Sequence, residues 1–247
     1  MPPPTLTVTP TVTLTLEPLT REAFAPFGTA IVSPLARDIT TPPSPSTLQT
    51  LTPTPVLANQ SSALKYSPIS PLTDAYAACP SAQPSSARMT MFSCFPRTLR
   101  TLPDSRSPAP VSVSVFDVRI LERHPFTTQT FTPIDLSSQG PDEPYYLVIV
   151  APSRKGVTGA ATTDAGDAVD VLDPPDLHRL RAFVARGGQA VTYGPGTWHA
   201  PMVVLGPRRV DFVVVQFANG VDAEDCQEVR FGEGIVVKVE EQGRAKL

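Results

Sequence analysis

Apolar residues in this chain fall mostly in short runs with a period of two. VSVSVFDVRILE (111–122) sets Val111, Val113 and Val115 on one face and serines on the other, the alternation of a half-buried strand. YYLVIVAP (145–152) and VDFVVVQFA (210–218) are continuous apolar runs of strand length. ARMTMFSCFP (87–96), TTQTFTPI, QAVTYGP, APMVVLG and EGIVVKVE read as further strands, bounded by turn residues. Helix signals are few. Thr20 can cap a short helix through Ala25, with Gly28 ending the segment, and DPPDLHRLRAF offers one or two turns after a proline start. Many short strands and few helices predict a mainly β fold, a barrel or a double-sheet jelly roll.

Residues 5–16, TLTVTPTVTLTL, also alternate. Pro10 would break a central strand, so this stretch reads either as an edge strand or as a low-complexity, threonine-rich extension (1–16). The 30 prolines among 247 residues are about twice ordinary usage. Residues 34–56, rich in Pro, Ser and Thr with few apolar positions, read as an inserted loop. One domain over 17–240 and a charged tail at 241–247 complete the organisation.

With a formal net charge of −3 and 17% charged residues, the chain offers no basic field for nucleic acid or an anionic membrane. Its longest apolar runs are far short of the roughly 18 residues a membrane helix needs. MPPPTLTVTP has no basic residue ahead of an apolar block, which argues against a secretory leader. Three cysteines without CxxC spacing argue against a disulfide framework or zinc knuckle, and point to reduced thiols in a cytoplasmic setting.

Candidate chemistry gathers at two of the three histidines. His199 stands in YGPGTWHAP, where two glycines and two prolines compress a turn around the only tryptophan. His124 stands in LERHPFTTQTF, on or just after a strand; Glu122, two positions before it, shares its face if the strand continues, and Gln129 comes five after it. Arg123, one position out of phase, is expected to face solvent or a subunit interface. His178, beside arginines, reads as solvated. Histidine titrates near neutrality and suits proton transfer.

The spacing G-QAVTY-GPG-TW-H resembles the second motif of the cupin barrel, and HPFTTQTF resembles a degenerate first motif with Gln129 where an acidic metal ligand is usual. More specifically, LTREAFAPFG, ANQSSALKY, LERHPFTTQTFTPI, YLVIVA, PDLHRLRAF, QAVTYGPGTWHAPMVVLG and VDFVVVQF occur in an order that resembles the ureidoglycolate lyase family in its fungal form. The departures are residues 1–16, 34–56 and 152–173, taken as surface insertions.

The resemblance implies a cupin-like double-stranded barrel with a few short helices, working as a homodimer. It implies cleavage of (S)-ureidoglycolate to glyoxylate and urea in allantoin and purine degradation. His199, His124 and Glu122 are then the expected proton-transfer groups, with His199 favoured. Lys65 is expected on the substrate carboxylate, with Asn59, Gln129, Tyr193 and Trp198 around the rest of the ligand. No cofactor is required on this reading, although His124, Gln129 and His199 form a possible divalent-metal set; glutamine is a weak ligand beside carboxylate and imidazole. Two other readings remain: a metal-dependent cupin enzyme of another class, such as an isomerase or dioxygenase, and a non-catalytic small-ligand barrel.

Overall fold

The structure, a computed structural model, describes residues 2–103, 112–136 and 143–239. Val111 and the 241–247 tail lie outside the described residues. The protein is mainly β, as expected. A ten-stranded sheet forms the middle layer, a five-stranded sheet covers one face and a four-stranded sheet the other, with a two-stranded hairpin apart from them. The five-stranded sheet runs Gly28–Val32, Gln189–Tyr193, Gln129–Pro133, Val210–Ala218, Ser86–Cys94. Both its outer strands have a free edge among the described residues, so hydrogen bonds do not close a barrel.

Tyr145–Ala151 shows why the middle sheet is apolar on both sides. Leu147, Ile149 and Ala151 enter one buried cluster, shared with Trp198, Leu121 and Ile235. Tyr146, Val148 and Val150 enter the other, with Phe24, Phe131, Phe183 and Tyr193. A strand covered on both faces gains from apolar residues at every position, hence a continuous run rather than an alternation. Ile149 is fully buried, and truncating it to alanine should cost about 2–5 kcal/mol.

The N-terminal stretch is part of this architecture rather than a tail: Val12–Leu14 and Leu16–Pro18 are edge strands of their sheets, as one of the two sequence readings has it, while Thr5–Leu6 is an interior strand. Thr5–Leu6 lies between Thr158–Thr162 and Gln227–Arg230, Val12–Leu14 runs parallel to Ile235–Val239, and Leu16–Pro18 runs parallel to Arg181–Ala185. Pro10 falls in the connection between two of these strands, where no ladder donor is needed. The 152–173 segment contains a hairpin, Thr158–Thr162 with Ala168–Leu172, at the outer edge of the ten-stranded sheet. The 34–56 segment holds the short helix Pro45–Leu48, capped by Ser44 and anchored by buried Leu48.

Thr20 does cap a helix, Arg21–Phe24, by accepting from Ala23 N. The DPPDLHRLRAF stretch departs from expectation. A 3-10 turn spans Leu177–Arg179, and Arg181–Ala185 is a strand. Tertiary burial decides this: Ala182 and Phe183 fill the two opposite cores, which only the period-two side-chain alternation permits.

Candidate active site

The site forms where the middle sheet faces the five-stranded one. In the middle sheet, Glu122 is paired with Glu228 on one side and His199 on the other, and His199 in turn with Val150. These side chains therefore share one face. Leu121, Trp198 and Val229 point the other way, into the opposite core. In the facing sheet, Gln129 is paired with Tyr193 and with Gln216. The YGPGTWHAP turn is tied to both layers: Gly194 N donates to Phe27 O at 2.9 Å and Gly196 N to His124 O at 2.9 Å. The second bond joins the two histidine motifs directly. Gly28, at the start of the neighbouring strand, has φ +148° and a virtual Cβ only 2.0 Å from Thr192 O, so glycine alone fits there.

The resulting cluster is tight. The His199 and Tyr193 rings stack at 3.9 Å with 1° between planes, and the His124 ring stacks on His199 at 5.6 Å. Glu122 Oε1 lies 3.6 Å from His199 Nδ1, which also approaches Ala200 O at 3.3 Å. His124 Nδ1 donates to Asp225 O at 2.6 Å, and Gln129 Nε2 donates to Gln216 Oε1 at 2.6 Å. Four buried polar atoms of this cluster then have no hydrogen-bond partner among the described residues: His124 Nε2, His199 Nε2, Gln129 Oε1 and the Tyr193 hydroxyl. Orphaned buried groups are uncommon and each calls for a physical explanation; four gathered in one cluster point to a ligand.

Electrostatics favour uncharged groups. Burial holds His199 well below its ordinary pKa, reinforced by His124, and burial likewise lowers His124. Both imidazoles are therefore neutral near pH 7. Burial pushes Glu122 up to about 7, and the Glu228 carboxylate adds to this. Burial raises the Tyr193 hydroxyl well above its usual value. Cys226, near Glu122, is pushed up to about 12 by burial and by neighbouring carboxylates, so it is an inert thiol.

Glu122 opens on a cavity of about 300 Å³ lined by Phe92, Phe131, Met202 and Arg97, among others. Of the residues expected here, Glu122, His124, His199, Gln129 and Tyr193 are brought together. Trp198 is not: fully buried on the far face, it donates to Asp173 O at 3.0 Å and lies beneath Arg123. Lys65 and Asn59 stand on the separate hairpin Val56–Ala58/Ala63–Lys65, where Lys65 is exposed, and neither lines the cavity. Arg123 does not face solvent. It is 5% exposed, bonds Gln227, Ser153, Asp173 O and Leu172 O, and its guanidinium sits 4.7 Å from the Trp198 ring. Sequence reading misses Arg97, Asp225 and Glu228. Only the cross-strand register that places Glu228 opposite Glu122 reveals the last, and no local motif marks the others.

Glu122, His124 and His199 offer donor atoms within 4.8 Å of one another. Glu122, the fourth group beside the His124, Gln129 and His199 set read from sequence, supplies a carboxylate oxygen here. Such a two-histidine, one-carboxylate arrangement fits a divalent ion. The Asp225 carbonyl on His124 Nδ1 leaves Nε2 free to coordinate, the usual arrangement for a ligating histidine whose other nitrogen is held by a backbone oxygen.

A layered β protein with buried neutral imidazoles and a carboxyl group of near-neutral pKa has the makings of an acid–base enzyme. Residues 11–238 match the family model described as ureidoglycolate lyase. A Schizosaccharomyces pombe ureidoglycolate lyase is 36% identical over 209 residues, covering 85% of this chain and 86% of that protein. A Saccharomyces cerevisiae ureidoglycolate lyase is 34% identical over 231 residues (91% and 97%), and one from Burkholderia mallei 30% over 223 (90% and 92%). The chain belongs to the ureidoglycolate lyase family.

Proposed function

We propose that this enzyme, a carbon–nitrogen lyase acting on ureidoglycolate, cleaves the (S) enantiomer to glyoxylate and urea by acid–base elimination without a covalent intermediate. The observation that carries this reading is the cluster of orphaned acceptors beside Glu122. A ureido group is rich in N–H donors; His124 Nε2, His199 Nε2 and Gln129 Oε1 have no hydrogen-bond partner of good geometry among the described residues, and the Gln129 side chain stands close enough to His124 to act on it electrostatically. Glu122, the strongest base of the cluster and the one on the open cavity, takes the proton from the substrate hydroxyl. The C–O bond becomes a carbonyl as the C–N bond breaks. The same carboxyl group returns its proton to the departing nitrogen, so no net proton is gained or lost. His199, the group favoured from sequence, instead abuts Glu122 and holds the ureido end. Positioned acid–base groups contribute about 10²–10⁴-fold. Arg97, the cation lining the cavity, takes over the carboxylate-binding role that sequence assigned to Lys65.

No metal is required on this reading. When bound at Glu122, His124 and His199, a divalent ion would supply Lewis-acid polarisation of a substrate oxygen. Chelator-dialysed protein that retains activity supports the metal-free reading; loss restored by a divalent ion reassigns the three residues as ligands. The reaction itself is tested by a coupled glyoxylate assay on each enantiomer. Urea without ammonia supports the elimination, whereas ammonia without urea would mean amide hydrolysis.

The enzyme works as a cytoplasmic homodimer on this proposal. Ser86–Cys94 is exposed along nearly its whole length, with Met89 76%, Met91 63% and Phe92 49% exposed beside Phe95 at 66%. An unpaired apolar edge of this kind is ordinarily covered. No helix among the described residues is long and apolar enough to cross a membrane. Sedimentation at a monomer mass would refute the dimer.

A further inference from the structure

The Asp225 backbone carbonyl can only accept, so its 2.6 Å contact requires the His124 proton on Nδ1 and leaves Nε2 as a bare lone pair. Asp225 closes the short helix Asp222–Asp225, and a four-residue helix does not hold a carbonyl in place by itself. Its side chain does. Asp225 Oδ1 accepts from the Tyr76 hydroxyl at 2.6 Å and from Asn219 N at 2.8 Å, while Oδ2 accepts from Gly220 N at 2.8 Å. Charge-assisted bonds of this length are among the stronger ones a protein makes.

Tyr76 is anchored in turn. It is 2% exposed, its N–H donates to Asp74 Oδ1 at 3.1 Å, and its ring lies 5.7 Å from that of Phe126. Ala75 N donates to Phe126 O at 2.7 Å and Thr128 N to Thr73 O at 3.3 Å. The contacts therefore form a closed ring: the His124 imidazole, the Asp225 carbonyl, its carboxylate, Tyr76, the 73–76 segment, and the 126–128 backbone two residues past His124.

We propose that Asp225 and Tyr76 are positioning residues that lock His124 as its Nδ1–H tautomer, so that Nε2 presents a fixed acceptor to an N–H of the ureido group. The functional half rests on the reading above; the tautomer itself does not. Neither residue touches substrate. Imidazole freed from such a constraint exchanges between tautomers, and each fraction with a proton on Nε2 turns an acceptor into a donor facing an N–H group.

The test is two-bond ¹H–¹⁵N correlation NMR on histidine-labelled protein, in which the three histidines of the chain make assignment direct. Exposed His178 serves as the averaged reference. The expected wild-type result is a single His124 tautomer, with an unprotonated Nε2. Asp225→Ala should move His124 toward averaged shifts and lower kcat/KM at least about tenfold, roughly the effect of losing one positioned group. Tyr76→Phe, which keeps the packing, should do the same to a smaller degree. Asp225→Asn, retaining one acceptor oxygen, should keep most of the tautomer and most of the activity. Glu17→Gln, which breaks the Glu17–Arg181 pair elsewhere, should leave the tautomer unchanged. A wild-type His124 that is Nε2-protonated or averaged overturns the proposal. So does a fixed Nδ1–H tautomer with wild-type kcat/KM in both Asp225→Ala and Tyr76→Phe. A fixed tautomer in a protein without lyase activity leaves the clamp standing and refutes only the functional reading.

Discussion

Replacing Glu122 by glutamine should stabilise the fold while disabling it. The side chain is 21% exposed, beside a second carboxylate, and keeps its proton up to about 7 rather than the ordinary 4.5. As pH rises from 4.5, the unfolded chain ionises first and the folded one resists. The unfolded state then binds fewer protons, so stability declines between pH 4.5 and 7 and is flat above. That difference is worth about 3 kcal/mol, at about 1.36 kcal/mol per pKa unit. A glutamine at this position cannot ionise and escapes the penalty. For a chain of this size, about 2–4 °C of Tm accompanies each kcal/mol, so E122Q should melt roughly 6–12 °C higher than wild type at pH 8 and close to it at pH 4.5. In the same preparation, kcat should fall about 10²–10⁴-fold. Thermal denaturation at the two pH values, paired with the urea-release assay, measures both. A Tm difference that does not change with pH would refute the electrostatic argument, and near-wild-type kcat would remove Glu122 as the base.

Other expectations follow from the same geometry. Arg97→Met should raise KM by about tenfold or more with a smaller change in kcat, as loss of a carboxylate contact predicts; an unchanged KM removes Arg97 from the site. His199→Asn should lower kcat at least about tenfold in steady-state assays, with the fold intact by circular dichroism. Arg123→Met removes the guanidinium from Leu172 O and Gln227 Oε1, while Asp173 O keeps its bond from Trp198 and Ser153 its bond to Gly196 O, and it should cost about 1–3 kcal/mol in urea denaturation without altering KM. Glu224 accepts from Ser81 N, Ser81 Oγ and Asn219 Nδ2, and these bonds lower its carboxyl to about 2. Its contribution is fully present above the ordinary 4.5 and lost as pH falls toward 2. Glu224→Gln should therefore flatten the acid limb of a Tm-versus-pH curve, and an unchanged limb would refute the assignment.

Period and turn chemistry determined much of this protein from sequence alone. The strands, the mainly β class and the capped helix at Thr20 follow from local rules, because backbone alternation and capping need only near neighbours. The inward aim of His199 at the Pro-Gly turn is also legible, whereas the strand carrying Glu122 ends at Arg123, so His124 is set by its backbone bond from Gly196 N and its ring bond to Asp225 O rather than by strand alternation. Arg123 misleads for a related reason: alternation gives the side of a sheet, not whether that side is covered. The partners of the N-terminal strands stay hidden because they are far away in sequence, and the 152–173 hairpin, though local, joins its sheet only through Thr5–Leu6. Trp198, Lys65 and Asn59 look functional beside matching motifs. Tertiary structure instead turns the first into the opposite core and sets the other two on a separate hairpin. Asp225, whose carbonyl fixes a histidine tautomer, and Glu228, whose charge raises Glu122, act through space across strand pairings. The sequence determined which residue types were available for the chemistry. Only the assembled sheets decided which atoms were dry, close and unpaired, and burial and proximity set their protonation.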